Sequence, residues 1–237
     1  MGKRLIQQAR GSGGPTYRAP SFRYQGRAAH HPLNPQPLVG KIIDLITCQG
    51  HSAPLARVQY EDGKTCLLLA ADGLRVGDVV TSGSNAAVER GNTLPLTQIP
   101  EGTLIYNIEQ RPGDGGKFCR ASGTFARVLS KAINQVLVEL PSKKQKMFHQ
   151  ECRANIGIIA GAGRLEKPFY KAGNKFYAKL KKNKLYPIVA GSSMNATDHP
   201  FGNSRSSRKS KARPAPHNAP PGRNVGMIRP RRTGRKK

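Results

Sequence analysis

Between residues 40 and 160 the hydrophobic positions fall in short β-branched runs broken by Gly, Pro and Asp, which is the pattern of strands joined by tight turns. Four runs come first, at 40–47, 55–60, 65–70 and 77–81. Five more follow, at 103–109, 125–130, 135–140, 146–149 and 155–160. Short strands at even spacing with polar turns favour small closed or half-closed antiparallel barrels over βαβ units. The segment GNTLPLTQIPEG at 91–102 holds two prolines and reads as a linker between two such barrels. The expected fold class is therefore mainly β, two small β-barrels in tandem with long basic extended tails. One helical periodicity stands out at 172–184, where Phe176, Tyr177 and Leu180 share a face among five lysines.

Composition limits how much of the chain is core. Hydrophobic residues make up 37% of the 237 positions, fewer than a fully globular chain carries. The charge is distributed unevenly. Residues 1–37 hold six Lys/Arg and no acid, 38–165 hold fifteen against eleven, and 166–237 hold nineteen against two. Those segments carry +6, +4 and +17 of the formal net charge of +27. The middle reads as an ordinary folded unit and the ends as polyelectrolyte arms. Such a charge repels itself in isolation, and a polyanion that releases counterions on binding relieves it.

The arm from 203 to 237, with Val225, Met227 and Ile228 as its few apolar anchors, buries too little surface to order itself alone. The N-terminal arm, punctuated by Pro15, Pro20, Pro32, Pro35 and Pro37, reads the same way. Its aromatics Tyr17, Phe22 and Tyr24 suit stacking on bases. Neither an apolar run of about 18 residues nor a signal-type apolar segment is present, so no membrane partner and a cytoplasmic location are expected. Cys48, Cys66, Cys119 and Cys152 lie far apart without a C-x-x-C pair, which signals neither a disulfide framework nor a zinc ribbon. Six histidines and 13 acids form no recognisable catalytic set, so no enzyme is expected.

Several strings carry chemistry of their own. RPGDGGK at 111–117 packs three glycines and a proline into seven residues, so its amides could approach phosphate oxygens. It is not a nucleotide-binding P-loop, because Phe118 follows the Lys where Ser or Thr is required. AGAGR at 160–164 offers a glycine turn beside Arg164, and MNATDHPFG at 194–202 sets His199 beside Asp198. That histidine could shuttle a proton, but sequence neighbours usually point apart and the string holds no nucleophile. A structural role on RNA is the preferred reading.

These strings, with MGKRLIQQ (1–8), SAPLAR (52–57), the 91–102 segment, RASGT (120–124), RANIGIIAGAG (153–163), KPFYKAG (167–173), NAPPGRNVG (218–226) and RRTGR (231–235), are collinear along nearly the whole chain. Together they resemble the second protein of the large ribosomal subunit, in its archaeal and eukaryotic-cytosolic form. The resemblance implies a basic extension at 1–37, an oligonucleotide-binding (OB) barrel at 38–85, a Src-homology-3-like barrel at 86–165 and a basic extension at 166–237 that threads RNA. It implies a structural constituent of the ribosome, with large-subunit rRNA as partner and small-subunit rRNA and neighbouring ribosomal proteins as further candidates. A homo-oligomer is not expected. Nor is a cofactor or a protein-built metal site, any magnesium being held through rRNA phosphates.

The loop matching 194–202 lies nearest the peptidyl-transferase centre in that family. Candidate RNA-binding residues are Lys117, Arg120, Arg153, Arg164, Lys167, Lys171, Met194, Asn195, His199, Arg223, Arg229, Arg231, Arg232 and Arg235. Two departures are visible. Gly202-Asn203-Ser204 stands where the family has a triple glycine, and IVAGSS at 188–193 lacks the usual basic residues. The alternative to a ribosomal scaffold is a free RNA- or DNA-binding chaperone or nucleoid-type protein.

Overall fold

The computed structural model describes residues 2–9, 11–15, 17–34 and 36–203. The candidates Arg223, Arg229, Arg231, Arg232 and Arg235 lie outside the described residues, as do the strings at 218–226 and 231–235. Internal packing divides the chain into two units, Pro20–Tyr170 and a second made of Met1–Ala19 with Lys171–Lys237.

The first unit is mainly β. Its strands are β1 (Leu38–Ile46), β2 (Leu55–Tyr60), β3 (Thr65–Leu69), β4 (Val79–Ser82), β5 (Thr93–Pro95), β6 (Leu104–Tyr106), β7 (Ala126–Lys131), β8 (Gln135–Glu139), β9 (Gln145–His149) and β10 (Arg153–Ile156). Among the described residues they form one ladder in the order β3-β2-β1-β4-β5-β10-β6-β7-β8-β9. All neighbours are antiparallel except β4 and β5, joined by a single parallel pair, Ser82 opposite Thr93.

Alternation along the strands builds the core, since successive side chains face opposite sides. Ile42, Val58, Tyr60, Leu68 and Val80 pack together within β1–β4. Leu94, Ile105, Val128, Val136, Val138 and Phe148 do so within β5–β10. A third cluster, including Leu55, Leu69, Tyr106 and Ile159, ties the two series together. There the Tyr106 hydroxyl donates to the Leu69 carbonyl at 3.0 Å.

Two expectations need correction. The segment 91–102 is not a linker. It contains β5, and Asn92, Thr93, Leu94, Leu96 and Ile99 are all buried, because its alternating apolar residues fill the space beside β10. The N-terminal arm is likewise not without structure up to residue 37. Ala28, His30 and His31 are buried, and the amides of Ala29 and His30 donate to the carbonyls of Leu67 and Gly115. Tyr24 lies across Gly50, so it supports the fold rather than a base, whereas Phe22 is exposed.

Candidate nucleic-acid interface

The glycine loop at 111–117 is held from within. Glu109, fully buried, accepts from the amides of Gly113 and Gly115 at 3.2 and 3.1 Å. Asp114 turns back on the loop, accepting from the amides of Gln110, Arg111 and Gly116 at 3.0, 3.3 and 2.9 Å. Burial works against ionisation of both carboxyls, yet the hydrogen bonds they accept outweigh it and hold each below its usual range. The amides expected to meet phosphate are therefore engaged by carboxylates of the chain itself. Gly116 makes the turn possible, since its φ is +96° and a Cβ there would run into the Asn107 side chain.

Arg153 is also turned inward, contrary to its expected role on RNA. It is 5% exposed. Its guanidinium donates to Glu109 Oε1 at 2.8 Å and Oε2 at 3.3 Å, and to the His31 carbonyl at 2.6 Å. Arg120 is half-buried and donates to the carbonyls of Gly116 and Ala28, both at 2.7 Å. Burial, followed by the nearby charge of Arg27, lowers its proton affinity. Both arginines position the loop because carbonyl and carboxylate acceptors surround them.

Beside Arg153, His30 donates through Nε2 to the Asn107 carbonyl at 2.7 Å. Burial and the Arg153 charge lower its pKa to about 4, so the ring is neutral at pH 7. The loop presents other cations outward. Lys117 and Arg27 are exposed, and Arg27 is anchored to the Asp114 carbonyl at 2.9 Å.

A second outward arginine sits where three strings meet. The Ser122 amide donates to Ser52 Oγ at 3.1 Å, and Arg164 Nε donates to Ser122 Oγ at 3.0 Å. Arg164 and Lys167 are exposed, which suits phosphate contact. Cys119 and Cys152 are poor nucleophiles at neutral pH. Burial pushes the Cys119 thiol up to about 12 and, with the charge of Glu109, the Cys152 thiol to about 11. Among the described residues no group of three or more His, Cys, Asp or Glu is placed to hold a metal.

In the second unit, α1 (Ala172–Leu180) follows Lys171 and has no buried residue. It stops short of the expected 184. Asn183 takes a left-handed φ of +47°, its amide donates to the Leu180 carbonyl and that of Lys184 to Lys179, closing the helix in a Schellman arrangement. Asn183 Nδ2 then donates to the carbonyls of Pro15 and Arg18 at 2.5 and 2.8 Å, pinning the N-terminal segment. Phe176, Tyr177, Leu180 and the lysines all face outward, a surface that combines stacking groups with cations.

The loop at 194–202 is a self-bonded turn. The amides of Asp198 and His199 donate to the Asn195 carbonyl, and that of Gly202 to the His199 carbonyl. His199 Nδ1 accepts the Phe201 amide at 3.0 Å, and its ring rests on Gly191, where a Cβ would collide with it. Asp198 pairs with Lys3 Nζ at 3.0 Å, and the Lys3 amide donates to the Thr197 carbonyl at 2.7 Å. The carboxylate beside His199 in sequence is thus bound to Lys3. Asn195 is exposed and Met194 half-buried along a shallow depression that also includes Ser192 and Thr197.

Sequence reading missed Arg27, Ser122 and Lys3. Only the Gly-rich strings near the first two offered a signal, and Lys3 sits in MGKRLIQQ with nothing to tie it to residue 198.

Residues 89–219 match the family model described as Ribosomal Proteins L2, C-terminal domain. Three relatives named Large ribosomal subunit protein uL2 align over nearly their whole lengths. That of Methanopyrus kandleri is 47% identical, covering 99% of this chain and 98% of its own. That of Archaeoglobus fulgidus is 49% identical, covering 99% of each. That of Methanothermobacter thermautotrophicus is 45% identical, covering 100% of each. With such similarity running from end to end, through the glycine loop and the 194–202 turn alike, the chain belongs to the large ribosomal subunit protein uL2 family.

Proposed function

We infer that the chain is a structural constituent of the large ribosomal subunit that binds its RNA and catalyses no reaction of its own. The observation that carries this is the full-length identity of 45–49% to relatives named as that subunit's protein uL2. The charge agrees. Cations outnumber acids throughout both ends of the chain, and phosphate neutralisation supplies most of the affinity such a protein has for RNA. β1–β4 are read as an OB-like barrel within 38–85 and β5–β10 as a Src-homology-3-like barrel within 86–165. They act as a rigid frame for outward cations, Arg27, Lys117, Arg164 and Lys167 among them.

The RNA-facing set further includes Lys171, Asn195 and Met194, with His199 shaping its loop. Neighbouring ribosomal proteins and small-subunit rRNA complete the surroundings, and magnesium enters through RNA phosphates. Washing purified ribosomes at high salt tests this directly. The chain is expected to remain with intact large subunits. Its complete release into the free RNA-binding fraction would instead identify a free chaperone or nucleoid-type factor.

A further inference from the structure

We propose that α1 is a stacking platform for unpaired nucleotides of the subunit's RNA, with Tyr177 and Phe176 receiving bases and Lys175 and Lys179 the phosphates beside them. The inference rests on the ribosomal reading above and names a ligand for one part of it. The helix is apolar on its outward side. Ala178 is the only half-buried residue among its nine, and with 3.6 residues per turn Phe176 and Leu180 lie about 160° around the helix from it. They form the outermost ridge, 42% and 53% exposed, and Tyr177 on the flank is 64% exposed. The rings of Phe176 and Tyr177 meet edge to face, 5.5 Å apart at 81°. Each limits the other's rotation, so a ring face is held in place before any base arrives.

Charge selects the occupant. Among the described residues of this unit, Lys3, Arg4, Arg18 and six lysines between 171 and 184 stand against one acid, Asp198. Lys3 already binds that acid. The six lysines are all exposed, and none has an ion pair among the described residues. A field of one sign beside an apolar ridge fits a polyanion that also offers flat apolar faces, which is an RNA strand. Base pairing then separates the forms of RNA. A duplex stacks its base faces out of reach and presents sugar and phosphate, whereas an unpaired strand turns bases outward while its phosphates stay near the lysines. Lys175 and Lys179 are one turn apart, about 6 Å along the axis, so they reach different phosphates of one strand. Lysine is a compact charge without the planar fork by which arginine reads base edges, and no arginine lies between 165 and 204. Contact with bases therefore falls to the rings, which accept any sequence.

The test uses intact large subunits. With Tyr177→p-benzoylphenylalanine, irradiation is expected to join residue 177 to RNA, and primer extension to map the adduct to an unpaired nucleotide. With Tyr177→Leu, the 2′-hydroxyl of that nucleotide should acylate severalfold faster, since stacking on an aromatic ring favours the ordered base about 5- to 150-fold. Tyr177→Trp keeps a ring and should leave the nucleotide protected. A peptide adduct, an adduct to a base-paired nucleotide, no adduct, or equal acylation in wild type and Tyr177→Leu would overturn the proposal. If the Leu variant stays out of subunits, the adduct decides alone. Absence of the wild-type chain from washed subunits is failure of the ribosomal reading. Its presence without an RNA adduct at residue 177 is failure of this one.

Discussion

Arg153 closes on Glu109 inside the protein, with Nη2 2.8 Å from Oε1 and the Arg153 backbone amide 2.9 Å from Oε2. The same carboxylate holds two amides of the glycine loop. One ion pair thereby links β10, the loop and, through the His31 carbonyl, the segment preceding β1. Removing the cation strands a buried carboxylate, which typically costs about 3–5 kcal/mol. Arg153→Leu is expected to lose stability of that size in urea melts of the full chain. A loss under about 1 kcal/mol would show that the pair is not buried as described.

His30 makes stability depend on pH. Its ordinary value of 6.5 falls to about 4 in the folded protein, so between these values the unfolded chain binds the extra proton. Stability is then full above about pH 6.5 and declines as pH falls towards 4, by on the order of 3 kcal/mol. Glu109, whose folded value is lowered, adds a loss in the same direction below its ordinary range. His30→Gln should flatten the upper part of this profile, above about pH 5, as measured by denaturant midpoints at a series of pH values.

Gly116 turns where only glycine fits. Gly116→Ala is expected to cost about 2 kcal/mol or more, from the left-handed backbone and from the collision with Asn107. Thermal melts compared with Gly63→Ala, whose Cβ meets nothing within 4 Å, separate the packing part from the backbone part, since Gly63 also has positive φ.

His199 accepts a backbone amide through Nδ1, and protonation there would break that bond. His199→Gln is therefore expected to assemble into subunits and to leave peptidyl transfer within a few-fold of wild type, whereas His199→Ala loosens the 194–202 turn and impairs incorporation. General acid–base help is worth about 10²–10⁴-fold. Fully assembled His199→Gln subunits slowed a hundredfold would reverse the assignment.

The ends should dominate RNA affinity. Pro20–Tyr170 carries eighteen Lys/Arg against twelve Asp/Glu, leaving twenty-two against one in the rest of the chain. Since log affinity falls with log salt by about 0.7–0.9 per phosphate neutralised, the isolated 20–170 fragment should bind more weakly and with a shallower slope than the whole chain. Equal slopes would place the contacts on the strands instead.

The alternation of apolar residues was enough to place all nine runs on strands, β2 at its full extent and the last, 155–160, overlapping β10 by two residues, because strand burial has a period of two that is written locally. The concentration of cations at the ends was equally plain, as charge is a property of composition. β5 escaped notice because three residues that end in Pro95 and follow Gly91 look like a connection until β10 lies beside them. The inward turn of Arg153 depends on Glu109, 44 residues away, and the capture of Asp198 by Lys3 on a contact across almost the whole chain. The sequence alone therefore determined nine of the ten strands and the polyanion partner. Only the tertiary structure decided which cations face outward, because a guanidinium goes to the strongest acceptor within reach, and reach is set by the fold.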